Sequence, residues 1–130
     1  MTEHPNVERL RRGFEAYARG DLAGLRDLFA DDASMHFLGR TPLSGDYNGM
    51  DAVLGYFGRL RESGAVFKFE VHDLLADDDH AVALLSATAE RAGRRIEQKV
   101  VHVFHMRADG KVLDWWNFWE DQAALDDLFR

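Results

Sequence analysis

The chain of 130 residues contains no cysteine. That excludes disulfides, thiolate metal sites and cysteine nucleophiles, and it fits a reducing cytoplasm, the expected location. Positive charge is also scarce, with 16 Lys and Arg against 23 Asp and Glu and a net charge of −7. Phosphate backbones need concentrated positive charge, so no nucleic-acid partner is expected. The basic clusters Arg9, Arg11, Arg12 and Arg94, Arg95 read as solvated faces. No window approaches the roughly 18 apolar residues of a membrane span, and MTEHPNVERL lacks the apolar centre of a signal peptide, so no membrane partner is expected either. Repeats, low-complexity tracts and linkers are absent, which leaves residues 1–130 as one domain. No phosphate-cradling glycine motif and no Gly-x-Ser-x-Gly elbow occur. Asp77, Asp78 and Asp79 lack the glycine and glutamate of a calcium loop, so neither a metal nor another cofactor is expected.

What the chain does have is concentrated near its end. Arg94 to Glu120, RRIEQKVVHVFHMRADGKVLDWWNFWE, holds all three tryptophans and two of the six histidines. Val100, His102, Phe104 and Met106 alternate with Val101, Val103 and His105, and Leu113, Trp115, Asn117 and Trp119 alternate with Val112, Asp114, Trp116 and Phe118. Such alternation predicts two strands. Asp109-Gly110 supplies the positive φ of a tight hairpin between them. Both faces are largely apolar, so both must be covered.

Earlier segments follow a period near 3.6. Val7, Leu10, Phe14 and Tyr17 predict a helix over about 7–19, stopped by Gly20. Asp21 caps a short second helix carrying Leu22, Leu25, Leu28 and Phe29, ended by Ala30-Asp31-Asp32. Residues 33–38 predict a short strand, followed by the turn-rich loop GRTPLSGDYNG. Met50, Val53, Leu54, Phe57 and Leu60 mark a third helix over about 50–62. The period then becomes 2, giving strands over 66–75 and 80–91 before the hairpin. Asp121 caps a last helix with Ala124, Leu125 and Leu128. The order predicts an α+β fold, a curved antiparallel sheet packed on three N-terminal helices with a short C-terminal helix.

The segments LFADDASMHFLG, PLSGDYNGMDAVLGYF, VHDLLADDDHAV and DWWNFWEDQAALDDLF resemble the SnoaL-like branch of the superfamily that includes ketosteroid isomerases and nuclear transport factor 2. The likeness runs from about Val7 to Phe129. It implies a cone-shaped, nuclear transport factor 2-like or cystatin-like fold around a deep apolar cavity. It also implies a homodimer through the outer sheet face, here Val101, Val103, Trp116 and Phe118. Activities in such families are diverse, including isomerisation, polyketide cyclisation, epoxide hydrolysis, dehydration and pure binding, so the fold does not fix a reaction. Steroid isomerases, a worked example of pKa tuning, use an aspartate base with a tyrosine and a protonated aspartic acid as oxyanion donors. Here the tyrosine position falls at Gly13, with Tyr17 one turn on. The base position falls at Phe37 or His36, and the acidic donor becomes His102. With none of the three present, that mechanism is not expected.

The candidate catalytic residues are therefore His102, which the alignment turns inward among apolar neighbours, and His36. Neutral imidazoles in such surroundings can accept or donate a proton. If both rings face the cavity, one takes a proton and the other steadies the developing oxyanion. Strict alternation with Met35 and Phe37 instead turns His36 outward unless the strand bulges. Candidate ligand contacts are Tyr17, Phe37, Tyr56, Phe104, Trp115, Asn117 and Trp119. Asn117 is a lone amide among aromatics whose partner is either a ligand oxygen or nearby backbone. The expected function is the binding of a small apolar or polycyclic molecule. Cofactor-independent isomerase, cyclase, dehydratase or hydrolase chemistry is one reading, and a non-catalytic binding or dimerisation module with structural histidines is the other.

Overall fold

The computed structural model describes residues 3–130. Helix α1 (Pro5–Ala18) begins where His4 accepts a hydrogen bond from the Asn6 amide and Pro5 takes the first helical turn. It ends before Gly20, whose φ of 71° turns the chain back. Asp21 then caps α2 (Leu22–Leu28), its carboxylate accepting from the Gly24 amide at 2.9 Å. Gly13 permits close packing of the two helices, since a Cβ there would stand 2.5 Å from Leu28 Cδ2. After α2 come β1 (Phe29–Phe37), β2 (Gly45–Asn48), α3 (Met50–Glu62), β3 (Val66–Ala76), β4 (His80–Arg91), β5 (Arg94–Met106), β6 (Val112–Trp119) and α4 (Gln122–Leu128).

The α+β class and the order of the helices follow the sequence pattern, and three features of the sheet depart from it. The sheet is open and has six strands in the order β2-β1-β6-β5-β4-β3. Within the predicted 39–49 loop, Gly45–Asn48 pairs antiparallel with Ser34–Phe37. β1 starts at Phe29, so the residue assigned to the end of the second helix opens the strand. Moreover, β1 runs parallel to β6, which makes the sheet mixed rather than antiparallel. Alternation identifies a strand but not its neighbour, and a parallel neighbour needs a long connection, which everything between β1 and β6 supplies.

The inner face collects Met35 and Phe37 of β1, Trp115, Asn117 and Trp119 of β6, and Val100, His102 and Phe104 of β5, all buried. β4 adds Ala81, Ala83, Ala87 and Ala89, whose small side chains leave room for the larger ones opposite. Near the β5–β6 turn a register shift follows His105, so that Met106 pairs with Val112. This bulge buries Val112 and exposes Leu113, the reverse of strict alternation.

Candidate functional site

His102 lies midway along β5, in register with Asn117 on β6 and Ala83 on β4. Four aromatic rings surround its imidazole. Phe14 stacks at 5.9 Å between centroids, while Phe69, Trp115 and Phe104 meet it edge-to-face at 5.2, 5.4 and 6.1 Å. The side chain is 1% exposed, and neither ring nitrogen has a hydrogen-bond partner. Burial pushes its pKa down to about 3, so the ring is neutral at neutral pH. Trp115 Nε1, Asn117 Nδ2 and Trp119 Nε1 are likewise buried and unpartnered.

A cavity of about 40 Å³ opens against this group, lined by His102, Asn117, Trp115, Phe104, Tyr56 and Tyr17 together with apolar side chains of α1 and α2. That volume holds a few water molecules. It is far below the roughly 300–1,000 Å³ of sites that enclose a drug-sized molecule. No Asp, Glu, Lys or Arg lines it among the described residues. The Tyr17 hydroxyl is engaged, donating to the Phe67 carbonyl at 2.7 Å, and burial pushes its pKa up to about 12. Tyr56 is buried as well, and desolvation raises its pKa well above the usual phenol value.

Six of the nine residues singled out in the sequence therefore converge on one cavity: His102, Tyr17, Tyr56, Phe104, Trp115 and Asn117. Phe37 and Trp119 also face inward but back the wall. Phe37 stacks on Phe67 at 6.1 Å, and Trp119 packs on Phe67 at 5.2 Å. His36 corrects the paired-histidine expectation. It sits on the opposite face of the sheet, as plain alternation with Met35 and Phe37 requires, and cannot act beside His102. Its Nδ1 lies 2.6 Å from Asp46 Oδ1 and its Nε2 2.7 Å from Asp114 Oδ1. Carboxylates only accept, so the two contacts together suit the doubly protonated ring, which donates to Asp46 and Asp114 at once. It stacks on Trp116 at 4.0 Å. Burial alone would lower its pKa, but the bonds to Asp46 and Asp114 outweigh it and the net shift is upward.

Phe14, Phe57 and Phe69 line the cavity and were not singled out as ligand contacts. The stripes of α1 and α3 did contain Phe14 and Phe57. Gly13 also lines the cavity, and Leu28 crowds the position of the tyrosine that steroid isomerases would place there.

The SnoaL-like domain matches residues 10–115. The chain belongs to that family. A SnoaL-like chain should share its fold over nearly its whole length with solved relatives, and this one does. Bal32a, from a soil-derived mobile gene cassette, is 35% identical, covers 96% of each chain and superposes with a TM-score of 0.87. TerC, co-crystallised with polyporic acid, is 18% identical with a TM-score of 0.87, over 97% of this chain and 98% of its own. In sequence, the uncharacterised protein Rv0034 of Mycobacterium tuberculosis is 29% identical over 131 residues, 99% of both. Further solved neighbours are described as NTF2-like and as having a cystatin-like fold.

Proposed function

We propose that this SnoaL-like chain holds a small, flat, largely apolar molecule beneath the sheet, with a polar group of that molecule bonded to His102 and Asn117. The observation that carries the reading is the set of four buried, unpartnered nitrogen atoms on the cavity-lining residues His102, Trp115 and Asn117. A buried polar group left unpaired costs about 1–3 kcal/mol, which ligand oxygens would relieve. Indole, amide and imidazole N–H groups make the set rich in donors, so the matching ligand is rich in acceptors such as carbonyl or enolate oxygens. The polyporic acid of the TerC crystals supports a ligand of this kind for the fold.

Chemically, a neutral His102 N–H and the Asn117 amide on adjacent strands form two donors for a carbonyl oxygen that gains negative charge. A ring that protonates only near pH 3 is a poor proton acceptor at neutral pH. His102 is accordingly a donor in this reading, and the base for isomerisation, cyclisation, dehydration or hydrolysis comes from water or the substrate. The second reading is binding without turnover, and the absence of a carboxylate from the lining among the described residues favours it. The test is a titration with polyporic acid followed by tryptophan emission. Saturable one-to-one quenching is expected, weakened tenfold or more by His102→Leu combined with Asn117→Leu. Equal affinity in the double variant would overturn the reading.

We also propose that two copies pair through the outer face of the sheet. Phe118 is 42% exposed there, stacked on Trp116 and near Val101 and Val103. An apolar surface of this kind commonly covers itself with a second copy. Sedimentation at micromolar concentration should give a dimer that Phe118→Glu converts to monomer, and a monomeric native chain would refute the pairing. No described helix is long and apolar enough to cross a membrane. The lack of cysteine agrees with a cytoplasmic setting, which completes the proposal.

A further inference from the structure

The inner cavity is too small for the ligand just described, so a bound state must join it to a neighbouring void. One such void is an open groove of about 720 Å³ between the end of α1, the start of α2, the end of α3 and the start of β3. Phe14, Tyr17, Leu25, Phe57 and Phe69 line both spaces and form the partition between them. Tyr17 is fixed by its bond to the Phe67 carbonyl, and Phe57 stacks on the buried Trp115. Leu25 is buried on α2, at 5% exposure. Phe14 and Phe69 remain, an edge-to-face pair 6.5 Å apart with no polar tie, each half-buried and each packed on His102. Phe69 sits on β3, which ends the sheet and has a register shift between Val71 and Asp73, so its backbone is held from one side only.

The groove differs from the cavity in charge. Arg61 and Lys68 line it, and no acidic side chain does among the described residues, although the whole chain carries −7. A cationic rim on an anionic protein selects an anion. We infer that the ligand is an amphipathic acid spanning both voids. Its flat ring system parts Phe14 from Phe69 to reach His102 and Asn117, and its anionic group stays in the groove beside Arg61 and Lys68.

This inference rests on the proposed pocket function, and two fluorescent probes separate the two. Anilinonaphthalene sulfonate and phenylnaphthylamine share their rings and differ by the sulfonate. At low ionic strength the sulfonate should bind the full chain about tenfold more tightly. Arg61→Gln with Lys68→Gln should equalise the two affinities without changing that of the neutral probe, as should high salt with the native chain. Phe69→Ala should speed association of both probes about tenfold in stopped flow, with Phe69→Leu as the milder variant if alanine prevents folding. Equal affinities for the native chain, or a preference that survives loss of both cations, would overturn the inference. Binding of the neutral probe, displaced by polyporic acid and with no gain from the sulfonate, would leave the pocket reading standing and sink this one. If neither probe binds, both fail.

Discussion

Replacing His102 by leucine is expected to raise stability by about 2 kcal/mol at neutral pH, because it removes an imidazole whose two nitrogens are buried without partners. Leucine fills similar space among Phe14, Phe69, Phe104 and Trp115 and asks for no hydrogen bond. The gain should grow in acid. The unfolded ring protonates near pH 6.5 and the folded one only near 3. The unfolded state therefore binds the extra proton, and native stability falls as pH drops below about 6.5, by about 1.4 kcal/mol per unit. At pH 5 the loss is about 2 kcal/mol, which the variant is spared, so the gap between variant and native chain doubles to about 4 kcal/mol. Urea unfolding at pH 7 and pH 5 measures both effects. A leucine variant no more stable than the native chain, with a gap independent of pH, would mean that the imidazole is hydrated or paired in solution.

Asp114→Ala should act with the opposite sign. Asp114 accepts from His36 Nε2 at 2.7 Å and from Trp116 Nε1 at 3.1 Å, and it lies 3.4 Å from His105 Nδ1. Removing it leaves the His36 ring with Asp46 alone, and a loss of about 2 kcal/mol is expected where the ring is protonated and the partly buried network is charge-assisted. A group whose folded pKa is raised contributes fully below its unfolded pKa and loses that contribution as pH rises through the folded value. The cost of Asp114→Ala should thus be largest in mild acid, between about pH 5 and 6.5, and shrink in alkali. The His36 ring signals, followed by NMR, should titrate at lower pH in the variant. An unshifted His36 titration would show that the contact with Asp114 does not persist in solution.

These two histidines also mark how far the letters alone could be read. Alternation puts His102 on one face with Val100 and Phe104, but both faces of that strand are largely apolar, so it is the family alignment that turns this face toward the cavity. His36 was equally legible from alternation. Only the borrowed isomerase geometry drew it toward the cavity, since alignment of a short strand shifts easily by one residue and each shift reverses the face. Asn117 and Trp115 followed from the same period of two. The role of Phe14 and Phe69 did not, because that depends on α1 lying across β3 and β5, a relation no local pattern encodes. The parallel pairing of β1 with β6 was hidden for the same reason, and β2 was hidden by its four residues amid turn formers. The small size of the cavity depends on how aromatic rings interlock, which composition does not determine.

The place of β1 between β2 and β6 has a consequence for how the chain is made. While the N-terminal helices and β1 emerge from the ribosome, the neighbour that shields Met35 and Phe37 on one side, residues 112–119, has not been synthesised. Closing such a distant pairing is slow compared with forming a hairpin. A nascent chain of this design therefore keeps a half-covered aromatic surface for most of its translation, and it completes its sheet only after its last strand is out, which makes it a natural client for chaperones that bind exposed apolar segments.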